Sequence, residues 1–164
     1  MNALRTVSLM AATVSTGLVA GAFALYAHTI MPGLAKTDDR TFVGAFQSID
    51  RAIINPWFIV GGFFGALVFT IVAAIANLGE DGLPWIAAAF VLYLVGFIIT
   101  MAINVPLNDG IKAAGDPDRI TDLGAVRRRF NEARWTSWNL VRVVTSTTAF
   151  GLLAWALVLL GRST

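Results

Sequence analysis

Four side chains in the last third of the chain stand at helical spacing and differ chemically from the apolar residues around them. Trp135, Trp138, Asn139 and Arg142 fall at i, i+3, i+4 and i+7, one face of an α-helix. A buried arginine there would offer a planar fork of donors to a carboxylate, phenolate or enolate oxygen. An amide would lie beside it, with two indoles to stack on a ring. The same residues also fit an aromatic belt at a membrane interface, with an arginine reaching for headgroups. Asn139, which a plain anchor does not need, favours the first reading for Arg142. Asn104 and Asn108 lie one turn apart astride Pro106. Two amides on one face can orient an oxygen-rich ligand, or they can patch the carbonyl of Ala102 that Pro106 leaves without a donor. His28 is the only histidine. It titrates near neutrality and could serve as a general base, or it could sit idle at an interface.

Other chemistries are poorly provided for. The chain has no cysteine, which excludes disulfides, thiolate metal sites and thiol nucleophiles. His28 with Asp38, Asp50 or Asp109 has no ligand spacing such as H-x-x-x-H, so no metal site is expected. There is no glycine-rich phosphate loop and no serine nucleophile elbow.

The elements that must position these residues are membrane helices. Of the 164 residues, 57% are hydrophobic and 13% charged, and the mean hydropathy is +0.72. A soluble domain carries about 25% charged residues, so neither a water-soluble globule nor a disordered chain fits. Apolar runs cover about 6–27, 57–78, 85–105 and 140–160; the first three carry no charge, and the fourth only Arg142. About 20 apolar residues cross the hydrocarbon of a bilayer. The expected fold is therefore all-α, a bundle of four transmembrane helices forming one membrane domain over 1–164. The first run exceeds the roughly 7–15 apolar residues of a signal peptide and is read as a retained span.

The connections are uneven. Gly79, Gly82 and Pro84 make a tight turn between the second and third runs, while 30–56 and 106–137 are long. The long connections hold Lys36, Arg40, Arg51, Lys112, Arg119, Arg127, Arg128, Arg129 and Arg134; the opposite side has Arg5 and Arg162. The positive-inside rule puts the long connections in the cytoplasm and both termini outside, as in a bacterial-type plasma membrane. Asp38 and Asp39 suit a helix start. Phe42, Phe46, Ile49 and Ile53 then make one apolar face, with Gln47, Asp50 and Arg51 elsewhere on the wheel. Leu123, Val126, Phe130 and Ala133 make another, so both long connections are expected to carry amphipathic helices. No breaker lies between Ala125 and Phe150, so the fourth helix is expected to run well out of the membrane. The Arg127–Arg129 run reads as a topology signal and a contact for anionic lipid, not as a nucleic-acid site. Helices one and three end, and two and four begin, at the same membrane edge. His28, Asn55, Asn104, Asn108, Trp135, Trp138, Asn139 and Arg142 therefore converge there.

Four stretches together resemble the anthrone-oxygenase-like family of small four-helix membrane proteins. They are Tyr26-Ala27-His28 followed by Met31-Pro32-Gly33-Leu34; Phe46-Gln47-Ser48-Ile49-Asp50-Arg51 with Asn55-Pro56; Asn104-Val105-Pro106-Leu107-Asn108; and Trp135-x-x-Trp138-Asn139-x-x-Arg142. The resemblance spans nearly the whole chain. It implies a membrane oxygenase that oxidises an anthrone-like, phenolic or quinone-type apolar aromatic substrate with molecular oxygen. With no cysteine and one histidine, the expected chemistry needs no cofactor. His28 would remove an acidic C–H proton. Arg142, Asn139, Asn104 and Asn108 would hold the enolate-like oxygen, and Trp135 and Trp138 would stack on the ring. The competing reading is a non-enzymatic accessory or lipid-binding membrane protein, which would need no polar pocket between its helices. A transporter is disfavoured because no charge sits at the membrane midplane, unless a homo-oligomer forms the path.

Overall fold

A computed structural model describes residues 2–162. The chain folds into α1 (Ala3–Leu34), α2 (Asp39–Ile53), α3 (Trp57–Ala76), α4 (Leu83–Ala113), α5 (Leu123–Phe130) and α6 (Glu132–Arg162). A single 3-10 turn, Pro117–Arg119, lies between α4 and α5. There is no strand among the described residues. Helices α1, α3 and α4, and the stretch containing α5 and α6, are long and apolar enough to cross a membrane. Helix α6 packs along both α1 and α4, α1 along α3, and α3 along α4.

Small side chains allow these close approaches. Ala12, Ala66, Ala73, Ala89, Ala149 and Ala156 are buried where the four long helices meet, interleaved with Leu9, Val19, Ile86 and Leu153. Between helices in lipid, association rests on such packing rather than on escape from water. Arg5 ties the start of α1 to the α3–α4 turn: its Nη1 lies 2.7 Å from Glu80 Oε1 and its Nε donates to the Ala76 carbonyl at 2.9 Å. Gly79, at φ +82°, makes that turn, a conformation that costs glycine little. At the opposite end a second, aromatic core joins α2 and α5 to the long helices. Phe46 and Phe130 have ring centroids 4.5 Å apart, and Trp135 meets Phe46 edge-on at 5.8 Å.

A long apolar helix covers each of the four apolar runs, α3 ending at Ala76, and each of α1, α4 and α6 overruns its own. Helix α1 continues past His28 to Leu34, and α4 past Pro106 to Ala113. At 31 residues α6 is about 46 Å long, more than the hydrocarbon of a bilayer. Its extension is not unbroken, however. Asn131 adopts φ +54° and separates α5 from α6, and its side chain accepts from the Arg134 N–H at 3.2 Å. Asparagine tolerates this left-handed conformation better than most residues, which is why a break occurs without glycine or proline. Ala133, beyond the break, is exposed and does not share the face of Leu123, Val126 and Phe130.

Helix α2 starts as expected, Asp38 accepting from the Thr41 N–H at 3.0 Å. Its buried face differs from the expected one. Phe42, Val43, Phe46, Gln47 and Asp50 are buried, while Ile49 and Ile53 are only partly so. Two polar groups thus face the interior.

Three π-helical turns share one level: Tyr26–Ile30 in α1, Trp57–Phe64 in α3 and Thr100–Asn104 in α4. Their i→i+5 bonding widens the helix by a residue, and such turns recur at functional sites. In α4 the wide turn immediately precedes Pro106 and accommodates the missing backbone donor without breaking the helix.

Candidate active site

A cavity of about 270 Å³ opens at the level of the π turns, between α3 and α4 and beneath the end of α2. Its walls are mostly apolar, with Phe23, Phe58, Phe63 and Val105 among them. Phe97 stacks on Phe63 with centroids 4.8 Å apart, in contact with the wall. Phe64 and Met101, at 45% and 48% exposure, line it where α3 and α4 face outward.

Arg142 lines the cavity and is buried, at 4% exposure. Its Nη2 donates to Asn139 Oδ1 at 2.8 Å and its Nη1 to Thr100 Oγ1 at 3.2 Å. The guanidinium lies over the Phe23 ring, 4.2 Å from the centroid, and 5.3 Å from that of Trp135. Nε has no hydrogen-bond partner among the described residues, and no carboxylate among them lies within ion-pair distance of the side chain. Asn139 is itself fully buried, its Nδ2 donating to the Phe23 carbonyl at 3.0 Å. A cation is therefore held in a fixed orientation by neutral groups and left without a counter-charge. Burying an unpaired charge is costly, so this arrangement is suited to an anionic ligand atom.

A second polar chain starts at the same wall. Trp135 Nε1 donates to Asn108 Oδ1 at 2.7 Å, and Asn108 Nδ2 donates to Asp50 Oδ1 at 2.6 Å. Lys112 Nζ lies 2.7 Å from Asp50 Oδ2 and 3.1 Å from Asp109 Oδ1. Trp135, Asn108, Asp50, Lys112 and Asp109 all line the cavity, as does Tyr26, whose ring centroid lies 5.5 Å from that of Trp135. Exposure rises along the chain, from 7% for the Asp50 side chain through 19% for Lys112 to 63% for Asp109.

Of the residues expected from the sequence, Arg142, Trp135 and Asn108 line the cavity, and Asn139 supports Arg142 from below. Asn104 is buried but bonds away from the cavity, its Nδ2 donating to the Trp135 carbonyl at 3.3 Å. Neither asparagine of α4 patches Ala102; both reach across to other helices. Trp138 does not join the group. It stands on the flank of α6, 37% exposed, and does not line the cavity. The structure does not bring His28 to the cavity either. His28 is exposed, and its Nδ1 shares a 2.6 Å hydrogen bond with Thr29 Oγ1. Asn55 acts as a cap, accepting from the Phe58 N–H at 3.0 Å.

Tyr26, Asp50, Thr100 and Lys112 were not expected at the site. Two of them left a signal: Asp50 is four residues after Phe46 and seven after Val43, and Lys112 is four after Asn108, so each shares a helix face with a buried neighbour.

No curated protein and no solved structure matches this chain. The family model described as anthrone oxygenase matches residues 56–152. That stretch is more than half of the chain and runs from the start of α3 into α6, taking in Thr100, Asn108, Trp135 and Arg142 and leaving Tyr26 and Asp50 outside it. The chain belongs to the anthrone oxygenase family.

Proposed function

We propose that the protein is a membrane oxygenase that takes a flat phenolic or quinone-type aromatic molecule into the cavity and oxidises it, in the anthrone manner, with molecular oxygen. The observation that carries this reading is Arg142, a buried cation with no counter-charge, facing an aromatic-walled cavity of about 270 Å³. An anthrone C–H is acidic because the carbanion left behind spreads through the rings onto oxygen. Arg142, steadied by Asn139 and Thr100, would hold that oxygen through fixed donors in a low-dielectric site. Trp135 and Phe23 would flank the ring. The electron-rich carbanion reduces dioxygen directly. One oxygen atom becomes the new carbonyl, and the other leaves as water with the two methylene hydrogens. This route calls for neither metal nor flavin.

The nine basic residues of the two long connections, against Arg5 and Arg162 opposite, favour a cytoplasmic position for the cavity end of the molecule. Membrane lipids would cover the outward apolar faces, where Val14, Val68, Val91 and Val144 are exposed.

The test is oxygen uptake by purified, reconstituted protein supplied with a dihydroxyanthrone. The expected result is one dioxygen consumed per quinone formed, at a rate that survives a chelator. Loss of the rate with chelator and recovery with one metal would overturn the cofactor-free route. Absence of any uptake would return the protein to the non-enzymatic, lipid-binding reading.

A further inference from the structure

We propose that Asp50 is the base that takes the substrate's proton, and that Lys112 and Asp109 pass that proton to water at the membrane edge. The proposal rests on the oxygenase reading above and assigns the one role that reading leaves open. His28 does not line the cavity. Two carboxylates do, Asp50 and Asp109, and of these Asp50 is the buried one, on the last turn of α2. A carboxylate in such a place is costly unless it is well paired, and here the pairing also aims it. The Asn108 amide cannot turn over without losing a bond, because its oxygen accepts from Trp135 while its nitrogen donates to Asp50 Oδ1. Oδ2 faces Lys112. Each carboxylate oxygen keeps a further lone pair.

The step balances within the site. The methylene C–H bond breaks and the proton goes to the Asp50 carboxylate. The electron pair stays on carbon and spreads to the substrate oxygen beside Arg142. The negative charge thus moves from the Lys112 side of the cavity to the Arg142 side, where a cation without a counter-charge already waits. Lys112 then releases a proton to Asp109 or water and takes the one from Asp50, restoring the carboxylate. Dioxygen enters only afterwards, so the step can be observed without it.

The experiment is therefore anaerobic. Reconstituted protein is mixed with a dihydroxyanthrone in heavy water, and exchange of the methylene hydrogens is followed by mass spectrometry. Binding is measured separately, by quenching of tryptophan fluorescence with the corresponding quinone. Wild type is expected to speed exchange, and Asp50→Asn to lose about a hundredfold or more of that rate while still binding the quinone. Exchange by Asp50→Asn at the wild-type rate overturns the proposal and leaves the oxygenase reading intact. Wild type that neither exchanges hydrogen nor consumes oxygen overturns both.

Should Asp50→Asn fail to fold, Lys112→Gln carries the test. The charged and titratable groups around Asp50 are Lys112 and Asp109 from α4, Tyr26 from α1, Arg142 from α6 and Arg51 on its own helix. Loss of the Lys112 cation disfavours the ionised carboxylate, so the acid limb of the exchange–pH profile is expected to move to higher pH. A limb that stays in place overturns the assignment. A merely structural ion pair would change melting temperature and leave the limb unmoved.

Discussion

Arg142 illustrates how far a single side chain can be read before a fold is known. Its neighbour Asn139, on the same face and one turn earlier, indicated an inward arginine, and the 2.8 Å bond between them is the result. Planarity matters as much as charge here, since the fork spans Asn139 and Thr100 while Nε remains directed elsewhere. Arg142→Lys should therefore fail to replace it, because a single ammonium nitrogen cannot span two acceptors that separate nitrogens of the fork now reach and still aim a donor in the direction of Nε. We expect Arg142→Lys to weaken quinone binding by about 1–3 kcal/mol, measured by fluorescence titration, with the protein still folded. Unchanged affinity would mean that the ligand oxygen sits elsewhere. His28 and Trp138 show the limit of such reading. Residue type and membrane depth were both suitable, but only the rotation of each helix about its axis decides who faces inward. Asp50 is hidden for the same reason, since the apolar spacing points to a face through Ile49 and Ile53, whereas the buried face runs through Val43 and Gln47.

At the scale of elements, helix existence was legible and helix detail was not. Hydropathy reports the stretch that lies in hydrocarbon, whereas α1, α4 and α6 continue as helices into polar surroundings where the index falls. The π turns leave no hydropathic trace at all, yet they shape the cavity. Gly65 ends the one in α3, where an added Cβ would lie 2.8 Å from the Val60 carbonyl oxygen five residues back. Gly65→Ala should therefore disturb the wide turn and the wall carrying Phe58 and Phe63. The expected cost is about 1–3 kcal/mol of stability, read as a lower unfolding temperature, together with altered quinone affinity. A variant indistinguishable from wild type would show that the turn tolerates the methyl. Helix α2 has a pH limit of its own. The Thr41 N–H and hydroxyl both donate to Asp38 and hold its carboxyl below the ordinary carboxylate range. A carboxyl lowered in the folded state stabilises fully above its unfolded value of about 3.9, and that contribution is lost as pH falls through the folded value. The protection of the amides in the first turn of α2, taken relative to their intrinsic exchange rate at each pH, should thus fall in acid. Asp38→Asn, a cap without a charge, should remove the acid dependence.

For the whole molecule, the number of spans was legible because bilayer thickness sets the length of an apolar run. The cavity was not, since its walls come from α1, α2, α3, α4 and α6 together, an arrangement that no single segment encodes. Orientation is open to a direct experiment, helped by a chain without cysteine. Asp81→Cys in the α3–α4 turn should react with a membrane-impermeant maleimide in intact cells, and Lys36→Cys only after lysis. The reverse pattern would put the cavity mouth on the outer face. The three π turns carry one more consequence, for insertions and deletions. Removing one residue from an ordinary membrane helix rotates everything beyond it by about 100°, which separates each later side chain from its partner. A wide turn already stores one surplus residue, so losing it there returns the helix to α geometry and leaves both flanks in register. Deletion of Ala102, within the turn of α4, should therefore keep Thr100 on Arg142 and Asn108 on Asp50, while deletion of Leu92 should not. Expression yield and melting temperature of the two deletions would show the contrast. A deletion of that kind would alter the wall of the cavity while leaving the contacts of Thr100 and Asn108 in place.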